Sequence, residues 1–172
     1  MPNLFSPSVL KQGLRDAVAD VLEKMFFIRI LEDPQAAGTV PTGEVKCLAD
    51  PRIAVCVSFH GKPSGRLSLL LDSGAARSIA GDFLGEEDPE LEPRQVEEVV
   101  CELANMICGA VLSRVESTIT FRLDAPLVLN STDSEASQPE TAVHAFPIGS
   151  GELTAKIWME DPICGSTEKS AS

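Results

Sequence analysis

Basic residues are scarce in this sequence: 14 Lys and Arg stand against 26 Asp and Glu, a formal net charge of −12. Such a surplus repels polyphosphate backbones and anionic lipid, so neither nucleic acid nor a membrane surface is expected as a partner. Long apolar runs are missing as well. No stretch approaches the roughly 18 apolar residues a membrane helix requires, and the opening MPNLFSPSVLKQGLRDAV lacks the basic segment and unbroken apolar run of a signal peptide. The five cysteines, Cys47, Cys56, Cys101, Cys108 and Cys164, contain no C-x-x-C pair. Their odd number, on mostly apolar segments, fits a reducing cytoplasm better than a disulfide scaffold.

Familiar catalytic furniture is equally absent. His60 and His144 are the only histidines, and neither has a second His or a Cys at ligand spacing, so no zinc site is expected and no cofactor is assigned to this chain. There is no G-x-S-x-G elbow around Ser64 or Ser73, and GKPSG is too short and wrongly ordered for a phosphate-binding loop. Aromatics are sparse, with seven Phe, one Trp and no Tyr, yet the hydrophobic fraction of 44% suits a soluble globular protein. At 172 residues the chain supports one substantial core. The expected organisation is a single domain over 10–160, with residues 161–172 as a flexible tail.

What is present is a readable order of elements. Residues 1–8 read as a loose arm. Leu14, Ala17, Val18, Val21, Leu22 and Met25 recur at helical period from Lys11 to Phe27. After a break at 33–43, Ile53, Val55, Val57 and Phe59 alternate with smaller residues, as do Leu67, Leu69 and Leu71, and the intervening Gly-Lys-Pro-Ser-Gly turn predicts an antiparallel hairpin. A short helix follows from Ser73 to Phe83. Pro93 suits the first turn of the next helix, which runs to about Arg114. TITFRLDAPLVLN reads as a strand with Pro126 at a bend or edge, and AVHAFPIGSGELTAKIWME gives two more strands, with Trp158 as a packing residue. The sequence has no βαβ alternation, which predicts an α+β fold: an antiparallel or mixed sheet packed against long helices.

The helix near the middle carries two unlike faces. At 100° per residue Val96, Val99, Val100, Leu103, Ile107 and Val111 gather on one side, with Met106 and Ala110 at its edge. Nearly opposite, Glu98, Glu102, Asn105 and Gly109 stack in a line. Cys101 and Cys108 are expected to flank that line and keep it low and accessible. Gly109 costs about 1 kcal/mol of helix propensity relative to Ala, so its placement requires a packing reason or the close approach of something else. On residue chemistry the line has two readings. It is the wet side of an amphipathic helix, or it is a rigid ridge that enters a partner's cleft. In the second reading the Asn105 amide orients a nucleophilic water, and Glu102 pairs with a partner Lys or Arg.

VEEVVCELANMICGAVLSR closely resembles the signature helix of the CheC/CheX/FliY phosphatases of bacterial chemotaxis, and ELANMICG is most similar to the CheX branch. The resemblance extends to AVADVLEKMFFIRI as an opening helix and to Pro126, 21 residues after Asn105. It implies a phosphatase that removes phosphate from the aspartyl group of a phosphorylated CheY-like receiver. Asn105 would align the attacking water and Glu102 would bridge to the receiver's lysine, with Glu98, Cys101 and Gly109 in the docking surface. The receiver would carry the phosphoaspartate and Mg²⁺. A homodimer paired through strand edges is also implied. Where other members repeat E-x-x-N in the first helix, Glu23 is followed by Phe26, which implies a single site; Glu98 stands where Asp or Ser is usual. Two rivals are a non-catalytic adaptor or flagellar-switch-like module that binds a receiver, and a dimeric structural domain outside signalling.

Overall fold

The computed structural model describes residues 5–30, 52–87, 90–116, 118–129, 141–149 and 151–160. The expected break at 33–43 and the expected tail at 161–172 lie outside the described residues. Helix α1 spans Pro7–Met25, α2 Ser73–Leu84 and α3 Pro93–Val115. Strands β1 (Arg52–His60) and β2 (Ser64–Asp72) precede α2, and β3 (Arg122–Leu123), β4 (Leu127–Leu129), β5 (Ala142–Ile148) and β6 (Gly151–Glu160) follow α3. The sheet runs β3-β1-β2-β6-β5, with β4 also pairing β1. Every pairing is antiparallel. This is the α+β architecture expected from the sequence.

Period-two patterning explains the sheet's inner face. Val55, Leu69 and Ala155 stand side by side across β1, β2 and β6, as do Val57, Leu67 and Ile157, and all six are fully buried. Against them lie α3, which touches β1, β2 and β4, and α1, which touches β5 and α3. Asp72 ties the end of β2 to its neighbours: Arg52 Nε lies 3.2 Å from one carboxylate oxygen, and the Glu152 N–H donates to the other. At the far end His60 Nε2 meets Asp124 Oδ2 at 2.6 Å, so this turn histidine links β1 to the segment after β3.

Local chemistry sets the helix ends. Pro7 and Pro93 each occupy the first turn of their helix, where a missing N–H costs nothing. The Glu92 N–H donates to Gln95 Oε1 at 2.8 Å, satisfying one otherwise orphaned donor at the start of α3. Helix α2 stops at Gly85, whose φ of 70° is the left-handed cap that glycine favours.

Three expectations require correction. Helix α1 begins at Pro7 and not near Lys11, because the proline at N1 starts the helix and Leu10 extends its buried stripe. Met25 is 50% exposed and Phe26 takes its place in the core, because the helix ends there. TITFRLDAPLVLN forms two short strands and not one; pairing with β1 lapses between Leu123 and Leu127, where Pro126 has no N–H to donate.

One glycine is fixed by the sheet itself. A Cβ on Gly65 would stand 2.2 Å from the Trp158 carbonyl oxygen and 2.6 Å from the Phe59 ring. The backbone atom cannot yield, so Gly65→Ala should destabilise the fold by about 3 kcal/mol. A urea midpoint lowered at constant m checks this; an unchanged midpoint contradicts the packing described.

Candidate functional site on helix α3

The apolar face of α3 settles onto the sheet as its period demands. Val96, Val100, Leu103, Ile107 and Val111 are essentially inaccessible, and Val99 is 5% exposed. That burial fixes the rotation of the helix about its axis. Glu98 and Glu102 are consequently exposed, while Asn105 and Gly109 are half-buried. At 1.5 Å per residue Glu102 and Asn105 lie about 4.5 Å apart along the axis, and Glu98 and Gly109 about 16 Å. The predicted line is therefore a ridge that faces away from the core.

The ridge residues differ in what they already hold. Arg94 Nε donates to Glu98 Oε1 at 2.9 Å, both side chains well exposed. Such an i,i+4 pair is worth only about 0.3–0.5 kcal/mol. Arg94 is an addition to the residues expected at the ridge, and its four-residue spacing from Glu98 is the sequence signal for it. The side chains of Glu102 and Asn105 have no hydrogen bond or ion pair among the described residues. Asn105 thus keeps an acceptor oxygen and a donor nitrogen free, and Glu102 keeps its carboxylate free. Gly109 leaves the surface open: a Cβ there would meet nothing within 4 Å.

The two cysteines do not behave as a matched pair. Cys101 is half-buried beside the ridge, but Cys108 is fully buried, contrary to the expectation that both flank the exposed line. Helix α3 touches α1 and α2 as well as the sheet, so its covered arc is wider than a single sheet would impose. Ala104 and Cys108 fall inside that arc. Burial pushes the Cys108 thiol up to about 12, and burial followed by the charges of Glu97 and Glu98 raises Cys101. Among the described residues no three His, Cys, Asp or Glu side chains group closely enough to hold a metal ion. Nor is any helix there long and apolar enough to cross a membrane.

A family model described as chemotaxis phosphatase CheX matches residues 53–148, more than half of the chain. The chain belongs to the CheX family. No curated protein matches it in sequence. Among solved structures, CheX from Vibrio vulnificus superposes with a TM-score of 0.65 at 19% identity, covering 90% of this chain and 99% of that one. CheX from Desulfovibrio desulfuricans gives 0.65 at 20% identity, covering 88% and 99%. A CheX–CheY–BeF3–Mg²⁺ complex from Borrelia burgdorferi gives 0.61 at 18% identity, covering 87% and 97%. These likenesses establish that the CheX fold extends over most of the chain.

The thiol chemistry of this CheX-family protein gives a direct check on how α3 sits. Because the thiolate is the reactive form, Cys108 in the folded protein should resist iodoacetamide at pH 8 until denaturant is added, and Cys101 should react slowly. Mass spectrometry of labelled peptides reads both. Fast native labelling of Cys108 would mean that α3 is rotated from the position described.

Proposed function

We propose that this protein is a phosphatase for a phosphorylated CheY-like receiver, with α3 as the docking and catalytic element. The observation that carries the reading is the pair of unpartnered side chains on adjacent turns of a rigid helix, Glu102 exposed and Asn105 half-buried. An amide is too weak a base at neutral pH to take a proton from water. It can hold a water by accepting through oxygen and donating through nitrogen, which places the attacking oxygen in line with phosphorus. Glu102 pairs with a lysine of the receiver and sets the register of the complex. The reactive carboxyl-phosphate and its Mg²⁺ belong to the receiver, and that ion supplies charge stabilisation for the transferring phosphoryl group. The family match and the fold shared with a CheX seen in complex with CheY support this assignment.

The catalytic unit proposed is one domain over residues 10–160, acting in the cytoplasm as a homodimer. Strand β4 lies beside β1 at one margin of the sheet, with Leu127 66% and Val128 38% exposed. Pairing of strand edges between copies would cover such groups, and mass in solution tests it.

Purified protein mixed with phosphorylated receiver domains should accelerate phosphate release. Asn105→Ala should lower kcat by about 100-fold while receiver binding and the thermal midpoint stay near wild type, because only water placement is lost. Glu102→Lys should chiefly weaken binding, since it reverses the charge that meets the receiver's lysine. Binding without acceleration by wild type would favour an adaptor. Neither binding nor acceleration would leave a structural domain, and full activity in Asn105→Ala would sink the mechanism.

A further inference from the structure

Two glycines on the long helices show contrasting reasons for being glycine. A Cβ on Gly13 would lie 3.1 Å from Val115 Cγ2, so the contact between α1 and α3 accounts for the small residue there. Gly109 has no such account, because a Cβ would find open space. A mid-helix glycine is a standing cost, and nothing among the described residues near Gly109 requires it. The open space leads somewhere. One turn beyond Asn105, Gly109 borders a cavity of about 270 Å³ between the C-terminal half of α3 and the chain leading into β3.

The lining of this cavity has one chemical character below and another at its rim. Leu112, Ile119, Phe121 and Leu123 make it apolar. Phe121 is held edge-on by Phe5 and Phe59, with ring centroids 6.4 and 6.0 Å away. The polar groups are Ser113 and Glu116. Ser113 Oγ donates its only hydrogen to the Gly109 carbonyl at 2.8 Å, which leaves that oxygen as an acceptor. Glu116 Oε1 accepts from the Thr118 N–H and hydroxyl, while Oε2 has no partner among the described residues. The same two bonds, the hydroxyl's first, hold the Glu116 carboxyl below its usual range, so the group is ionised at neutral pH. The side chains at the rim therefore offer acceptors and negative charge but no free donor.

An apolar cavity with an acceptor-only, anionic rim fits a side chain that has a hydrocarbon stem and a donor-only cationic head. Only lysine and arginine meet that description. We propose that the Gly109 cavity receives a Lys or Arg side chain of the docked receiver, separate from the lysine assigned to Glu102, and that Gly109 is glycine so the receiver's surface can reach it. The inference rests on the receiver reading and adds a second anchor whose opening at Gly109 is one helical turn from the catalytic amide and whose charged rim at Glu116 is about 16 Å from it along the axis. Charge complementarity favours it, since Glu98, Glu102 and Glu116 all lie on the solvent side of α3 or at its end.

The test uses wild type, Gly109→Leu, Gly109→Ala and Glu116→Gln with phosphorylated receiver domains, and the same receivers loaded with beryllium fluoride and Mg²⁺ for binding. Gly109→Leu inserts the protein's own side chain beside the cavity and removes a helix-weakening glycine. It should raise the thermal midpoint, raise KM about tenfold and leave kcat within about twofold, because the remote contact is lost while water placement is kept. Gly109→Ala should be more stable than wild type with a smaller rise in KM. Glu116→Gln should raise KM severalfold and flatten its dependence on salt. If wild type neither binds nor accelerates any receiver, the receiver reading and this inference fall together. If wild type is active and KM is unmoved in both Gly109→Leu and Glu116→Gln, this inference alone is overturned. A change of oligomeric mass in Gly109→Leu with receiver KM unmoved would overturn it in favour of a second copy as occupant.

Discussion

The structure depends on the seating of α3's apolar face against β1 and β2. Each Val, Leu or Ile side chain moved fully out of water contributes about 1.5–3 kcal/mol, and five of them on α3 are essentially inaccessible. No rotation of the helix by even one residue position could keep those groups buried. The seating therefore decides more than stability: it decides which residues face outward. Glu98, Glu102, Asn105 and Gly109 are a ridge because the valines and leucines opposite them have only one place to go.

A ridge held this way suits chemistry that consists mainly of positioning. A water molecule aligned by an amide must stand within a few tenths of an ångström of its productive place, and loops hold such tolerances poorly. Here the amide stands on a 23-residue helix whose N-terminus is fixed by Pro93 and the Glu92–Gln95 contact. Toward its C-terminal end Arg114 pairs with Asp20 of α1, which also meets Lys24. Glu102 and Asn105, the pair proposed to meet the reacting end of the receiver, are left unpartnered, whereas Glu98 is already engaged by Arg94. That pairing moderates the negative charge that Glu98 brings to the ridge.

Much of this was legible in the sequence because it depends on local periodicity. The two hairpins, the phase of α3 and the exposure of Glu102 follow from repeats of two and 3.6 residues, and the family resemblance of ELANMICG led to the fold that the structure has. What could not be read depended on which elements come together. Cys108 was misplaced because the number of elements packed around α3 is a tertiary fact, and an arc covered by two helices and a sheet is wider than periodicity suggests. Met25 was misplaced because the exact helix end decides whether it or Phe26 turns inward. Gly109 is not explained by periodicity, because only the tertiary structure excludes internal packing there, and the cavity beside it is formed by the chain before β3 lying along α3.

The central claim is that the Asn105 side chain enters the active site of an activated receiver, and its carboxamide can report this directly. In the NMR spectrum of amide-labelled protein, the Asn105 side-chain NH2 pair is assigned by its loss in Asn105→Ala. Addition of a receiver loaded with beryllium fluoride and Mg²⁺ should shift or broaden that pair, and the unactivated receiver should do so far less. A receiver that binds while the Asn105 resonances stay unmoved would contradict the account.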